Sequence, residues 1–184
     1  AQQGDTLVVE WLTEDGSDVL KNSLYETIIA NTNEAGERFE NRVYKLQQGG
    51  FYYVQEAIQN DGWHLNIVGE KGDPSDPYKN PPMLQITSRE DATVTGKMFN
   101  IRGNFTLKNV ILNGKTTDGG LQYEIVDVRH DNGRFTFDNV IFEYSQWGLM
   151  GFYSPGADIF YTNNTVRNFL SETQPWGGRG FSVW

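Results

Sequence analysis

Short apolar segments separated by polar turns follow one another along most of the chain, from Arg42 onward. Gly, Asn and Asp fill the intervals, and these residues favour turns because they tolerate backbone conformations that other residues avoid. The apolar segments are rich in β-branched and aromatic residues, so we expect each of them to be a strand. The predicted strands are Val43–Leu46, Phe51–Val54, His64–Val68, Met83–Ile86, Met98–Ile101, Phe105–Leu112, Tyr123–Val128, Phe135–Phe142, Trp147–Phe152, Ile159–Val166 and Phe181–Trp184. Many short strands with turn signals between them indicate a sandwich, a barrel or a solenoid.

A different pattern precedes these strands. Thr6–Leu12 is rich in β-branched and aromatic residues and predicts a first strand. After a turn, apolar residues recur at helical spacing and predict an amphipathic helix at about residues 18–31, capped by Ser17 or Asp18. The apolar face of this helix would consist of Val19, Leu20, Leu24, Ile28 and Ile29. The polar segment that follows the helix predicts a loop.

An internal repeat favours the solenoid over the other two architectures. Three segments align: Gly103–Leu112, Gly133–Phe142 and Ala157–Val166. The matched positions are Phe105, Phe135 and Ile159, then Leu107, Phe137 and Tyr161, then Asn109, Asn139 and Asn163. The three Asn residues are 30 and 24 residues apart, which is a typical length for one coil of a parallel solenoid. We therefore expect an all-β, right-handed parallel β-helix in residues 42–184, preceded by a strand, a capping helix and a loop in residues 1–41.

The matched columns have a physical reason in such a fold. Alternate side chains of a strand point to opposite faces. The inward set would be Phe105, Leu107, Phe135 and Phe137, and the outward set Thr106, Lys108, Thr136 and Asp138. Asn109, Asn139 and Asn163 would form a ladder, in which each amide donates to the carbonyl of the next at the strand spacing of about 4.8 Å. Asn also tolerates the left-handed backbone that a sharp corner requires.

Both ends of a solenoid expose core side chains and unpaired strand edges. At the N-terminal end, the amphipathic helix is expected to cover the first coil. At the other end, the strand Phe181–Trp184 has no capping sequence after it. We therefore expect the natural protein to continue with further coils.

The order of strand, helix and loop, followed by Val43–Val54 and Leu65–Gly69, resembles the start of pectate-lyase-like right-handed β-helix proteins. The segments Pro82–Ile86, Leu107–Val110 and Phe160–Asn164 are similar to segments of large secreted β-helix proteins of Bacteroidota, which are cargo of type IX secretion. This resemblance implies the fold, a secreted or cell-surface location, and contact with the secretion machinery or with a surface assembly.

Pectate-lyase-like enzymes use Ca²⁺ bound by Asp or Glu together with an Arg or Lys base, so the resemblance directs attention to such groups. Acidic residues are scattered here, and Arg129 and His130 are the candidates for catalysis, with a corner or surface ion pair as the alternative. Asp73 and Asp76 lie in a polar insertion with two Asp-Pro turns. They are candidates for binding calcium, the one cofactor that the sequence suggests, with an ordinary solvated loop as the alternative.

Aromatic residues near glycine or proline at strand ends offer a second candidate site. Trp147, Tyr153 and Trp176 have this placement. Exposed rings in such positions stack on sugar rings, so these residues are candidates for binding a polysaccharide. The alternative is that they fill corners or interior positions.

Composition narrows the class of protein. The formal net charge of −9 argues against nucleic-acid binding, because phosphate contacts need clustered Lys and Arg. The chain has no Cys, and no apolar run approaches the roughly 20 residues that span a bilayer. It begins Ala1-Gln2-Gln3 without Met, as a processed, exported protein does. We expect a bacterial protein that is secreted or held at the cell surface.

Two functions from different classes fit these observations. The first is a non-catalytic β-helix with a structural, adhesive or carbohydrate-binding role, since the coils show no convergent group of acids and bases. The second is a polysaccharide lyase or glycoside hydrolase whose site lies on coils downstream of this fragment. Acidic residues that recur at one strand position of later coils would favour the second.

Overall fold

The structure is a computed structural model that describes residues 5–39, 41–76, 79–169 and 179–183, the last of these for the backbone alone. Within these residues the chain forms one short helix and fourteen strands. They are β1 (Thr6–Val9), α1 (Ser23–Ala30), β2 (Val43–Leu46), β3 (Phe51–Val54), β4 (Ile58–Asp61), β5 (Leu65–Gly69), β6 (Met83–Ile86), β7 (Phe99–Arg102), β8 (Phe105–Asn113), β9 (Gln122–Val128), β10 (Arg134–Glu143), β11 (Ser145–Phe152), β12 (Asp158–Thr162), β13 (Thr165–Arg167) and β14 (Arg179–Val183).

The strands form two sheets in which the named strands pair in parallel. The first sheet has the order β1-β2-β5-β8-β10-β12, with β3, β6 and β13 joined to it. The second sheet has the order β14-β11-β9-β7-β4. From β2 onward the chain passes through the first sheet, crosses to the second and returns, so that β4, β7, β9, β11 and β14 each follow strands of the first sheet. The fold is therefore mostly β with parallel sheets, as the all-β prediction requires.

The two central strands of the first sheet pair in the register that the sequence repeat predicts. Phe105 of β8 lies beside Phe135 of β10, and Leu107 lies beside Phe137. All four side chains are fully buried, and the intervening Thr106 is half-buried on the opposite face. The rings of Phe105 and Phe137 meet edge-on with their centroids 5.6 Å apart. The predicted alternation of inward and outward residues is confirmed in these two strands.

The third repeat departs from its prediction. The single strand expected at Ile159–Val166 is divided into β12 and β13 at Asn163 and Asn164, whereas β8 and β10 continue through Asn109 and Asn139 with the same left-handed backbone. Ile159 pairs in register with Phe135 but is 37% exposed. Among the described residues no further strand of the first sheet pairs beyond β12, so nothing there covers this side chain. Ile159 therefore keeps the predicted alignment with Phe135 but is less buried than Phe105 and Phe135.

The helix is shorter than the predicted one at residues 18–31. The residues before it form a tight turn, in which Asp15 Oδ1 accepts hydrogen bonds from the amide of Ser17 at 3.1 Å and from its hydroxyl at 2.7 Å. Asn22 precedes α1 with φ of 62° and makes no side-chain capping bond. Its Oδ1 accepts from the amide of Gln55 at 3.2 Å instead. The predicted cap at Ser17 or Asp18 is wrong.

The helix nevertheless packs on the body of the protein. Leu24 and Ile28 belong to the same hydrophobic core as Val9 of β1, and α1 contacts β1 and β3. Ile29, which was expected on the apolar face, is largely exposed. The helix therefore buries a narrower face than its sequence predicts.

Several strands begin or end one or two residues from their predicted positions, and the larger differences concern β1, β4 and β14. β1 ends at Val9, and Leu12 forms only an isolated antiparallel bridge with Val19. β4 was not predicted, because its outward residues are polar and only Ile58 among its side chains is apolar. The strand predicted at Phe181–Trp184 corresponds to β14, while Trp184 lies outside the described residues.

Candidate functional site

A buried aspartate marks the outer face of the second sheet. On β9, Val126 and Val128 belong to the core, so Asp127 between them points to the opposite face. Asp127 is nevertheless only 2% exposed, because basic side chains cover it. A buried carboxylate persists only where charge and hydrogen bonds compensate its lost hydration.

Three cations supply that compensation. Asp127 Oδ2 lies 2.8 Å from Arg102 Nη2 and 3.1 Å from Arg129 Nε, and Oδ1 lies 3.5 Å from Lys97 Nζ. Burial raises the pKa of Asp127, but the hydrogen bonds from Arg102 and Arg129 and the charge of Lys97 outweigh burial, so the pKa is lowered overall. The carboxylate is therefore ionised at neutral pH.

A second buried carboxylate shares one of these cations. Lys97 Nζ donates to Glu124 Oε2, on the same strand as Asp127. The Glu124 carboxylate lies against the backbone of Gly151 on β11, where a Cβ atom would come within 2.6 Å of Oε1. Only glycine leaves room for this contact. We call Lys97, Arg102, Glu124, Asp127 and Arg129 the charged cluster, and its formal charge is one unit positive.

An exposed aromatic ring borders the charged cluster. The guanidinium carbon of Arg129 lies 4.8 Å from the ring centroid of Tyr153, close enough for a cation–π contact. Tyr153 also approaches Gly151, since its Cε2 would lie 3.1 Å from a Cβ there. His130, the second predicted catalytic candidate, contributes its backbone amide, which donates to Ser154 Oγ at 2.9 Å. The structure thus brings Arg129 and Tyr153 together beside two carboxylates.

A stacked pair of aromatic rings occupies the other end of these two strands. Tyr123 of β9 and Trp147 of β11 lie nearly parallel, with centroids 5.2 Å apart and an interplanar angle of 11°. Tyr123 is 47% exposed. The register between the strands shifts between Ser145 and Gly148, and this irregularity places Trp147 beside Tyr123. We call Tyr123 and Trp147 the aromatic pair; the third predicted aromatic residue, Trp176, lies outside the described residues.

A cavity of about 290 Å³ adjoins the aromatic pair. It lies between the segment that precedes β7 and the loop that precedes β9, and we call it the side cavity. Its lining consists of Val94, Thr95, Gly96, Thr116, Asp118, Gly120, Leu121, Gln122 and Tyr123. A larger cavity of about 690 Å³ lies at the turn after β1, but the aromatic residue that lines it, Trp11, packs against the core.

The predicted asparagine column is present in part. Asn109 and Asn139 both have left-handed backbones, with φ of 53° and 55°, and Asn139 Nδ2 donates to Asn109 Oδ1 at 3.0 Å. Asn109 Nδ2 donates in turn to the carbonyl of Gly69 at 3.1 Å. Asn163 departs from the predicted ladder, because its Nδ2 donates to Asp138 Oδ1 at 3.0 Å. A carboxylate attracts the amide more strongly than a neutral carbonyl does.

The calcium candidates lie apart from the second sheet. Asp73 Oδ1 accepts from the amide of Ser75 at 3.0 Å and from its hydroxyl at 2.6 Å, and these hydrogen bonds lower the pKa of Asp73. Asp76 Oδ2 lies 3.4 Å from Lys79 Nζ. Over the described part of the chain, no group of three or more His, Cys, Asp or Glu side chains is placed to hold a metal ion. Asp73 and Asp76 make hydrogen bonds and an ion pair within their loop, and calcium binding by them stays a prediction.

Several residues of this face were not predicted from the sequence. Lys97, Arg102, Glu124 and Tyr123 were not singled out, although the strands that carry or adjoin them were predicted. Aligning β9 with β7 would have placed Asp127 beside Asn100, which lies two residues before Arg102 and three residues after Lys97. The sequence gives no repeat from which that alignment could be read.

Comparison of the chain with models of protein families, with curated protein sequences and with solved structures finds no match. Among the described residues, no helix is both long enough and apolar enough to cross a membrane.

Proposed function

We propose that this chain is a right-handed parallel β-helix protein that binds carbohydrate on the outer face of its second sheet. The fold proposal is supported by parallel pairing in both sheets and by the regular return of the chain from the second sheet to the first. It is also supported by the resemblance to pectate-lyase-like proteins. Leu46, Tyr52 and Val54, within the segment that carries this resemblance, are buried in the core.

The aromatic pair is the single observation that carries carbohydrate binding. Sugar rings present C–H groups that pack on aromatic faces, and Tyr or Trp side chains supply these faces where one side of the ring is wet. Tyr123 is exposed and held in a fixed orientation by its stacking on Trp147. A rigid, exposed ring costs little conformational entropy when a ligand binds. Tyr153, beside the charged cluster, offers a second ring directly after the end of β11.

Retention on polysaccharides tests this function. The protein is passed over a panel of insoluble polysaccharides, and the retained fraction is compared with that of a Tyr123→Ala, Trp147→Ala double variant. Loss of retention in the double variant is the expected result. Phe160→Ala is the matched control, because Phe160 is 45% exposed but lies on β12 of the first sheet. No retention by any member of a broad panel would contradict the proposal.

A polysaccharide lyase is the second candidate, and one arrangement favours it. Arg129 and Lys97 lie beside the buried carboxylates of Asp127 and Glu124. It ranks second because both cations are already engaged in ion pairs with these carboxylates. Incubation with polyuronates and Ca²⁺, followed by the ultraviolet absorbance of unsaturated products, distinguishes it. Product formation that Arg129→Gln abolishes would favour the lyase over a binding protein.

A carbohydrate-binding β-helix fits a location outside the cell, so we extend the proposal to a bacterial protein that is secreted or surface-bound. The resemblance to secreted proteins of Bacteroidota supports this location. Labelling of intact cells with a membrane-impermeant reagent tests it. Labelling only after lysis would contradict it.

A further inference from the structure

We propose that the side cavity is a subsite for an uncharged sugar ring, and that it disfavours sugars that carry a carboxylate. This inference rests on the proposed carbohydrate-binding function and names the class of sugar. The cavity is bounded by two loops and by the edge of the aromatic pair. Its volume of about 290 Å³ lies at the lower end of the range for small-ligand pockets, which suits one sugar ring.

Tyr123 joins the side cavity to the aromatic pair. Trp147 approaches Tyr123 from β11, on one side of β9. Residues 94–96 lead into β7, which pairs with β9 on its other side. Tyr123 therefore lies between Trp147 and the cavity, and a sugar ring in the cavity can pack on this tyrosine.

Neutral polar groups line the wall next to the ring. Thr95, Thr116 and Gln122 are all buried, and Gln122 is only 4% exposed. Gln122 Nε2 donates to the carbonyl of Thr95 at 3.2 Å, while Gln122 Oε1 receives no hydrogen bond from the described residues. An amide oxygen that is buried without a donor is costly. A rotation of the Gln122 amide that turns Oε1 toward the cavity gives up the hydrogen bond to Thr95, and a sugar hydroxyl then donates to Oε1 in its place.

The one charged residue among those that line the cavity is an acid. Asp118 Oδ1 accepts hydrogen bonds from Thr116 Oγ1 and, at 3.4 Å, from the amide of Gly120. These two hydrogen bonds lower the pKa of Asp118, which is therefore ionised at neutral pH. A carboxylate can accept hydrogen bonds from sugar hydroxyls, but it repels the carboxylate of a uronic acid. No Lys, Arg or His is among the described residues that line the cavity, so nothing there offsets this repulsion.

Titration calorimetry with matched sugars tests the subsite. The probes are neutral trisaccharides of galactose, glucose and mannose, each paired with the trisaccharide of its uronic acid. For at least one pair we expect the neutral member to bind roughly 10-fold more tightly. Asp118→Asn should reduce that preference at least 3-fold by strengthening the acidic member. Asp73→Asn is the control, since Asp73 also accepts hydrogen bonds from a neighbouring hydroxyl and amide but lies in another loop.

The other possible results contradict either the neutral subsite alone or both the subsite and carbohydrate binding. Equal binding of the two members, tighter binding of the acidic member, or a preference unchanged in Asp118→Asn overturns the neutral subsite and leaves carbohydrate binding standing. Absence of binding to every trisaccharide and every insoluble polysaccharide overturns both. Gln122→Met, which keeps the side-chain length without the amide, is a second variant and should weaken the neutral member at least 3-fold.

Discussion

The two sheets differ in the regularity of their strand pairing and in the side chains on their outer faces. In the first sheet, β8 and β10 run in uninterrupted register, and Phe105 and Phe135 lie side by side in a fully apolar interior column. In the second sheet, β9 and β11 shift register between Ser145 and Gly148, and their outer face holds buried charges. Both sheets contribute side chains to the same hydrophobic core. They differ in the regularity of their register and in the residues on their outer faces.

This difference separates the residues that specify the fold from those available for binding. Regular parallel strands with stacked apolar columns stabilise a structure and present few irregular surfaces. Register shifts re-aim side chains and create recesses, and they occur next to binding sites. The aromatic pair and the side cavity both lie where the second sheet is irregular. We therefore assign stability chiefly to the first sheet and ligand binding to the second.

Phe137→Ala is the strongest test of the assignment of stability to the first sheet. Phe137 is fully buried and its ring meets Phe105 at 5.6 Å and Phe152 of the second sheet at 6.3 Å. We expect a loss of about 3–5 kcal/mol in the free energy of unfolding, because the substitution leaves a cavity where both sheets meet. Urea unfolding measures the loss. The control, Thr136→Ala, should cost less than about 1 kcal/mol, and an equal loss would contradict the inward assignment.

Asp127→Asn tests whether the charged cluster of the second sheet also contributes to stability. The variant keeps the side-chain shape and removes the charge that holds three cations. We expect a loss of about 2 kcal/mol, below the usual range for a buried ion pair, since the Arg129 side chain is 57% exposed and its interaction is screened. Arg129→Gln should cost less than about 1 kcal/mol for the same reason. A larger loss in Arg129→Gln than in Asp127→Asn would contradict the central position of Asp127.

Acid sensitivity gives a second test of the same cluster. The folded state lowers the pKa of Asp127, so its stabilisation is present above the unfolded pKa and is lost as pH falls through the lower folded value. Its ordinary pKa is about 3.9, so the loss is expected below about pH 4. The urea midpoint of the wild-type protein should fall more steeply in this window than that of Asp127→Asn. Parallel curves for the two proteins would show that Asp127 has no lowered pKa.

The smallest expected effect concerns two glycines. A Cβ at Gly151 would lie 2.6 Å from Glu124 Oε1, whereas a Cβ at Gly96 would meet no atom within 4 Å. Gly151→Ala should therefore destabilise by about 1 kcal/mol, because a buried, ion-paired carboxylate must move. Gly96→Ala should be neutral or slightly stabilising, since alanine reduces the freedom of the unfolded chain. Thermal unfolding of the two variants should separate them, and identical midpoints would contradict the packing described at Gly151.

The sequence allowed much of the first sheet to be predicted. Asn109 and Asn139 are 30 residues apart, the same offset as the pairing of β8 with β10, and each has a positive φ, so the repeat predicts both the register and the local backbone geometry. The spacing of Leu24 and Ile28 correctly predicted a helix in this part of the chain, but the predicted start of the helix was wrong. Serine is a residue type that commonly caps helices. Here the hydrogen bonds from Ser17 to Asp15 stabilise a turn, and this turn competes with helix formation at Ser17.

The second sheet resisted prediction because its connections vary. The chain passes from β8 to β9 through a loop at residues 114–121, but from β10 to β11 through Tyr144 alone. Because the number of residues between successive strands varies, no repeat in the sequence predicts the pairing of Glu124 with Gly148. Trp147 and Tyr153 were predicted as binding candidates from their type and flanking residues, while Tyr123 depended on the register. A site assembled by side chains from different strands can be recognised only once the register between those strands is known.

One measurement tests directly whether ligand binds to the second sheet and not to the first. Amide hydrogen exchange is followed in the free protein and in the presence of a saturating oligosaccharide that the protein retains. We predict slower exchange in β9, β11 and the loop at residues 114–121, with β8 and β10 unchanged. Slower exchange confined to strands of the first sheet would contradict the assignment of ligand binding to the second.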